Sequence, residues 1–199
     1  MSGPLISVVI PTFNGGAYLG EALESVVAQA RNDVEIVVVD DASTDDTPAR
    51  ISRFAGRGVR SLRHAANKGV SAAVNTAMQH VQGEFVAFLD HDDLWLPGKL
   101  DTQLALLTAA PEIDISFTDY VEFGEGARPG TAFSERSEAM RRYPRRRVAD
   151  DSFAIQSESF LLDFLRIQAA PMPSTTVYRT AKLREALPLD EDVAHQDVQ

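Results

Sequence analysis

Three stretches of the chain, residues 5–10, 34–39 and 85–89, are apolar at nearly every position, and the first two are rich in β-branched residues. Such runs predict strands covered on both faces, as in a parallel sheet. Asn14-Gly15-Gly16 breaks the chain after the first run. Tyr18, Leu19, Ala22, Leu23, Val26, Val27 and Ala30 then fall at three- and four-residue steps, one apolar face of a helix. Val70, Ala73, Val74, Ala77, Met78 and Val81 repeat that spacing before Gly83. Asp46-Thr47-Pro48 reads as a helix entrance, with Thr47 as cap and Pro48 in the first helical position. Ile51 and Phe54 form that helix's apolar face, and Gly56 and Gly58 stop it. Residues 59–64 predict a shorter, more polar strand. Pro97 opens a helix through Leu100, Leu104 and Leu107, and residues 113–117 predict a further strand.

Residues 1–123 therefore alternate strand and helix. The expected fold is α/β: a mostly parallel twisted sheet with helices on both faces and right-handed crossovers. From residue 124 to 157 the periodicity is lost. Gly124, Gly126, Pro129 and Gly130, with the basic run Arg141, Arg142, Arg145, Arg146 and Arg147, predict a long irregular loop. Residues 158–199 form a third region. Helical spacing returns at Phe160, Leu161, Phe164 and Leu165, followed by a strand over 174–178 and a short helix over 181–186.

Composition narrows the chemistry. The 199 residues carry 19 Lys+Arg against 29 Asp+Glu, a formal net charge of −10. That acidity argues against a nucleic-acid partner, which needs a basic footprint. No cysteine is present, which removes disulfides, thiolate catalysis and thiolate-held metals. No apolar run approaches the ~18 residues of a membrane span. The first residues lack the basic and apolar regions of a signal peptide, so the expected location is cytoplasmic.

Two of the most apolar runs end in acids, Asp40-Asp41 and Asp90-His91-Asp92-Asp93. Ligands of an open α/β sheet bind beyond the carboxyl ends of the strands, so both clusters are expected at one edge. Converging carboxylates repel, and burial raises their pKa values. A hard cation, Mg2+ or Mn2+, relieves both effects and binds through one or two carboxylates plus substrate phosphates. A phosphate-bearing ligand follows. The plainer reading is that acids after a strand cap helices and form turns. It is preferred for Asp45 and Asp46, and the cation for Asp90, Asp92 and Asp93.

These motifs resemble, in order, those of the family 2 glycosyltransferases of the GT-A fold. Val8-Val9-Ile10-Pro11-Thr12-Phe13-Asn14 is similar to their opening strand, and Val38-Val39-Asp40-Asp41-Ala42-Ser43-Thr44-Asp45-Asp46-Thr47 to their second motif. Asn67-Lys68-Gly69-Val70-Ser71-Ala72-Ala73-Val74-Asn75 is similar to a third. The stretch from Gly83 to Asp93 is similar to the strand that carries their metal-binding DxD motif. The likeness covers most of residues 6–100. It thins beyond Tyr120 and partly returns at Ser174-Thr175-Thr176-Val177-Tyr178-Arg179 and near Gln196-Asp197.

The resemblance implies metal-assisted transfer of a sugar from a nucleotide-diphosphate donor to an acceptor hydroxyl, with inversion. Carried over by position, Pro11, Thr12, Phe13, Asp40, Asp41, Asn67, Gly69, Asn75, Asp90 and Asp92 would bind the donor. Asp92 and Asp93 would hold Mg2+ or Mn2+, and Asp197 would be the catalytic base. Gln196 stands where the family has Glu, and Val74 where many members have Arg. The implied acceptor is a carbohydrate, lipid-linked or other hydroxyl, as in cell-envelope polysaccharide synthesis.

Several residues carry two readings. His91, in the variable position of the DxD motif, is expected to point outward, because strand neighbours alternate faces. Trp95 either flanks the acceptor or, as preferred, anchors the following helix. The arginines from Arg141 to Arg147 either bind a membrane surface peripherally, at its inner face, or form a solvated loop. Two alternative functions stand beside the transferase. One is a donor-binding domain inactive because the acceptor half, starting at residue 158, is cut short. The other is a receiver-type phosphoacceptor switch, although its acid pair follows the first strand and not the second. A sugar nucleotidyltransferase is set aside because Pro11-Thr12-Phe13-Asn14 replaces its Gly-rich loop.

Overall fold

The computed structural model describes residues 3–124, 127, 132, 145–149, 152–155 and 172–191. Its centre is a six-stranded sheet. The strands are β1 (Ile6–Thr12), β2 (Val34–Asp40), β3 (Val59–Arg63), β4 (Phe85–Phe88), β5 (Ile115–Phe117) and β8 (Thr176–Arg179), in the order β3-β2-β1-β4-β8-β5. β1 pairs in parallel with β2 and β4, and β2 with β3. β8 runs antiparallel to both β4 and β5. The remaining strands, β6 (Arg145–Ala149) and β7 (Ser152–Ile155), form a separate antiparallel pair.

The unbroken apolar runs have a direct cause. On one face of the sheet Ile6, Val8, Ile10, Ile36, Val38, Phe85 and Ala87 are buried under α1 (Leu19–Val27), α2 (Thr47–Ser52) and α4 (Lys99–Ala109). On the other, Val9, Val37, Val39, Val86 and Phe88 are buried against Ala73, Val74, Ala77 and Met78 of α3 (Val70–Met78). Successive strand residues serve opposite cores, so neither parity can be polar. Among the described residues the last helix is α5 (Thr180–Glu185), which follows β8.

Gly83 leads into β4 at close quarters. A Cβ there would lie 2.6 Å from the Ser7 backbone nitrogen and 2.7 Å from the Phe85 carbonyl oxygen. Its N–H donates to Ser7 Oγ at 2.9 Å, and its carbonyl accepts the Thr180 hydroxyl at 2.8 Å. The turn thus locks β4 against β1 on one side and against the start of α5 on the other.

Local boundaries differ from the sequence expectation in several places. The strand expected over 174–178 is Thr176–Arg179, after a single tight turn over Pro173–Thr175, and that expected over 113–117 is Ile115–Phe117. Asp46, not Thr47, is the cap of α2, and Thr47 and Pro48 are its first two residues. The basic stretch expected to be loop is strand from Arg145 to Ala149, paired with β7. α4 starts at Lys99, because Gly98 before it is left-handed at φ 82°. The helical spacing at Phe160 to Leu165, Arg141, Arg142 and Asp197 lie outside the described residues. Among the described residues no helix is long and apolar enough to cross a membrane.

Candidate functional site

The carboxyl ends of β1 and β2 are tied together by their own turns. Asp41 N–H donates to Thr12 O at 2.8 Å, and Asn14 N–H to Ser43 Oγ at 2.9 Å. Thr44 N–H returns a bond to Asn14 Oδ1 at 2.8 Å, and Gly16 N–H donates to Asp45 Oδ2 at 3.0 Å. Asp45 Oδ1 also accepts from Thr47 N–H at 2.9 Å, a turn bond two residues on, one position ahead of the helix cap at Asp46. Burial pushes the Asp45 carboxyl up, but the bonds from Thr47 and Gly16 outweigh it and hold the group below its ordinary range. Asp46 makes no cap bond and instead pairs with Arg50 at 2.9 Å, one helical turn on.

Gly15 is where β1 meets the end of β4. A Cβ on it would lie 2.5 Å from Thr12 Oγ1 and 2.6 Å from His91 Cδ2. His91 therefore lies against the β1 turn, half-buried, and does not point outward as strand alternation suggests. The reason is that β4 ends at Phe88, so His91 belongs to a turn and not to the pleat. Thr12 is 3 % exposed, and among the described residues its hydroxyl is the buried side-chain polar atom without a partner. Such orphans are uncommon and point to a missing ligand or water.

Asp40 and Asp41 are both buried, and both face the end of β3. Asp40 accepts from Ser43 N–H at 2.8 Å and pairs with Arg63, whose guanidinium also donates to Ser43 O at 2.8 Å. Asp41 holds the turn before α3. It accepts from Gly69 N–H at 2.7 Å, from Lys68 N–H at 2.9 Å and from His64 Nδ1 at 2.6 Å. Gly69 has φ 88°, a conformation costly for any other residue, and it caps α3. Asn67 beside it is exposed. His64 Nε2 meets Thr76 Oγ1 at 2.8 Å. Arg63 and His64 were not singled out in the sequence. The usable signal was that β3 is parallel to β2, which brings its last residues to the same edge.

The third cluster follows β4. Burial, and next the charges of Asp93 and Asp92, push the Asp90 carboxyl up to about 6, against a bond from Ser174 that lowers it. Asp93 is raised chiefly by burial, with Ser174 opposing and Asp92 adding to the rise. Asp92 is exposed. Ser174 also accepts Asp90 N–H at 2.9 Å, and its carbonyl accepts the Trp95 indole N–H at 2.7 Å. Trp95 is 5 % exposed and packed in the core, the anchor role preferred for it. Ser174 lies 84 residues beyond Asp90, and only the antiparallel return of β8 brings it here.

Among the described residues no three metal-binding side chains converge on one point. Burial nevertheless makes Asp90 and Asp93 reluctant to ionise, and Asp92 lies open beside them. That oxygen donor set fits a hard cation whose remaining ligands come from a bound phosphate group. Of the other residues expected on the donor side, Pro11 is buried and Phe13 is 38 % exposed. Asn75 is engaged elsewhere, with Leu189 and Glu191. An open cleft at the opposite, amino ends of the strands is lined by Arg31, Asp33, Glu35 and Asp101. Those groups are occupied: Arg31 pairs with Asp33 and Asp101, and Glu35 with Ser7 and Gln82 N–H.

Comparison with known proteins decides the family. The glycosyl transferase family 2 model matches residues 7–162. The chain belongs to that family. This glycosyltransferase family 2 chain is 33% identical over 107 residues to UDP-Glc:alpha-D-GlcNAc-diphosphoundecaprenol beta-1,3-glucosyltransferase WfgD of Escherichia coli, covering 54% of this chain and 42% of that one. Its fold is similar to that of S. aureus TarS 1-349 in complex with UDP-GlcNAc, with a TM-score of 0.67 and 26% identity, over 91% of this chain and 47% of that one. It is also similar to the mannosyltransferase PcManGT from Pyrobaculum calidifontis in complex with GDP-Man and Mn2+. That match has a TM-score of 0.55 and 31% identity, over 60% of this chain and 37% of that one. The chain thus spans less than half the length of each of these three relatives. The sheet resembles those of GT-A enzymes in being mixed and mostly parallel, and family membership leaves no support for the receiver-type alternative.

Proposed function

We propose that this chain binds a nucleotide-diphosphate sugar and contributes to its inverting transfer onto an acceptor hydroxyl. The observation that carries the reading is the meeting of two unsatisfied features at one sheet edge. Thr12 offers a buried hydroxyl with no partner, and His91, on the other side of Gly15, leads into acids that burial disfavours as anions. A nucleoside diphosphate with its counter-ion answers both. Family membership and the nucleotide sugars named for TarS and PcManGT support it.

In this reading Pro11, Thr12 and Phe13 border the nucleoside, and Asp40 and Asp41 set the walls of its pocket. The Asp41 carboxylate acts by holding Lys68 and Gly69 in place, so the Asn67-Lys68-Gly69 turn presents itself to the donor. Asp90 and Asp92 face the ribose and diphosphate. Asp92 and Asp93 would hold a divalent cation, Mg2+ or Mn2+, which when bound neutralises charge on the departing diphosphate. The acceptor oxygen forms a bond to the anomeric carbon from the face opposite the leaving diphosphate. The bond from that carbon to the diphosphate oxygen breaks, and its electron pair leaves with the nucleoside diphosphate. Asp197 is assigned as the base that takes the acceptor proton.

The acceptor class that fits is a lipid-linked or other carbohydrate hydroxyl, in keeping with the diphosphoundecaprenol named for WfgD. Residues 1–123 would then form the donor half, and residues 158–199 would begin the acceptor half. Action at the inner face of a membrane, with Arg141 to Arg147 at its surface, completes the assignment.

The test is calorimetry with uridine and guanosine diphosphate, each with Mn2+ and with excess chelator. One nucleotide should bind, and chelation should weaken it at least tenfold. Binding of neither in the presence of Mn2+ would end the transferase reading. Equal affinity in chelator would end the cation's part in it.

A further inference from the structure

Asn75 lies on α3 and is 8 % exposed. Its amide makes three hydrogen bonds, all to one distant segment. Nδ2 donates to Leu189 O at 3.0 Å and to Glu191 Oε1 at 2.8 Å, while Oδ1 accepts from Leu189 N–H at 2.8 Å. A side-chain amide has two donors and two acceptor sites, so both N–H groups are taken and one lone pair remains. Nothing is left with which Asn75 could donate to a ribose or a phosphate. The same helix holds the segment through apolar contact as well. Leu187 and Leu189 rest on the core cluster that contains Val74 and Met78.

The other end of α3 is fastened at the candidate site. Gly69 N–H donates to Asp41, and Thr76, next to Asn75, bonds the histidine that pairs with Asp41. One helix therefore ties the carboxyl end of β2 to Leu189-Asp190-Glu191. Those residues lead in sequence toward Gln196-Asp197.

We propose that Asn75 is a positioning residue: it pins Leu189-Asp190-Glu191 to α3, and by holding that segment, which precedes Gln196-Asp197 in sequence, it serves turnover and not nucleotide binding. The link to Asp197 rests on the transferase reading; the clamp itself does not. Three measurements on Asn75→Ala test it. The Leu189 amide should exchange with solvent at least tenfold faster. Affinity for uridine or guanosine diphosphate with Mn2+ should stay within twofold of the parent. Turnover of UDP-glucose or GDP-mannose, with water as acceptor, should lose at least tenfold in kcat with little change in KM. Glu191→Ala removes one of the three bonds at an exposed residue. It should move kcat and exchange the same way, more weakly, and keeps the test open if Asn75→Ala fails to fold. A tenfold loss of nucleotide affinity with Leu189 still protected would make Asn75 a donor contact and overturn the proposal. Lost protection with unchanged kcat would also overturn it. If the parent binds neither nucleotide, the transferase reading fails, and Leu189 exchange still judges the clamp.

Discussion

Lys99 opens α4 with its ammonium 4.4 Å from the centre of the Trp95 ring and 2.6 Å from Gln103 Oε1. Burial pulls its pKa down to about 7, from an ordinary value of 10.5. Between those two values the unfolded chain keeps a proton that the folded chain gives up. Stability should therefore rise with pH through that window, and below pH 7 the cost of the buried charge is complete and constant. Lys99→Met removes the titration while keeping an apolar stem. We expect its melting temperature to rise less steeply than the parent's between pH 7 and 10. The slope is the readout, because Gln103 also loses a donor. Parallel curves would show that Lys99 keeps its proton under the indole. Thr12 supplies a second test at this scale. Thr12→Val keeps the shape and removes the orphaned hydroxyl, whose burial without a partner costs about 1–3 kcal/mol. The free protein should melt higher, and its affinity for the better-bound nucleoside diphosphate should fall several-fold. A variant that melts lower and binds equally well would separate Thr12 from the site.

At the scale of elements, the turns after β1 and β2 behave as one unit, because each supplies the other's missing backbone partners. Asp45 is the shared member, bonding Gly16 on one side and Thr47 on the other. Asp45→Ala should cost about 1 kcal/mol of stability or more, because it removes the hydrogen bonds from Gly16 and Thr47. It should also weaken nucleotide binding, because Gly15 and Thr12 lie in the loosened turn. Denaturant unfolding and calorimetry on one variant measure both effects, and a stability loss with intact binding would detach the turn from the donor. Much at this scale was legible beforehand. The both-face apolar runs and the three- and four-residue spacings located the parallel strands and α1 and α3, because each such pattern reflects a single local periodicity. The start of α2 was misread, since Asp46, Thr47 and Pro48 all suit the first turn of a helix. Only the Asp45 bonds with Gly16 and Thr47 show how that turn is held. The strand at Arg145 to Ala149 was hidden because a run of arginines carries no apolar alternation, and its partner β7 alone defines it.

For the molecule as a whole, binding free energy adds to folding stability. A nucleoside diphosphate at a hundred times its dissociation constant should contribute about 2.7 kcal/mol. In a domain of this size each 1 kcal/mol raises the melting temperature by about 2–4 °C, so a shift of about 5–10 °C is expected with Mn2+. Chelation should remove most of it, and Asp93→Ala should remove the metal-dependent part while the protein remains folded. A shift that persists in chelator would exclude the DxD acids from the response.

The sequence was enough for the α/β class, for strands with two covered faces and for two acid clusters at strand ends. Those features depend on neighbours within a few residues, and the topology rule for parallel sheets carries both clusters to one edge. The partners of those acids were a different matter. Arg63 and His64 reach Asp40 and Asp41 through β2–β3 pairing, Ser174 reaches Asp90 through an antiparallel strand, and Asn75 turns to Leu189 and Glu191. Each partner is chosen by which side chain fills a bonding site across a long loop, and no local periodicity encodes that choice. Residue type told which groups carry charge. Burial and the fold's long-range pairings decided which acids are satisfied and which hydroxyl, that of Thr12, is left without a partner.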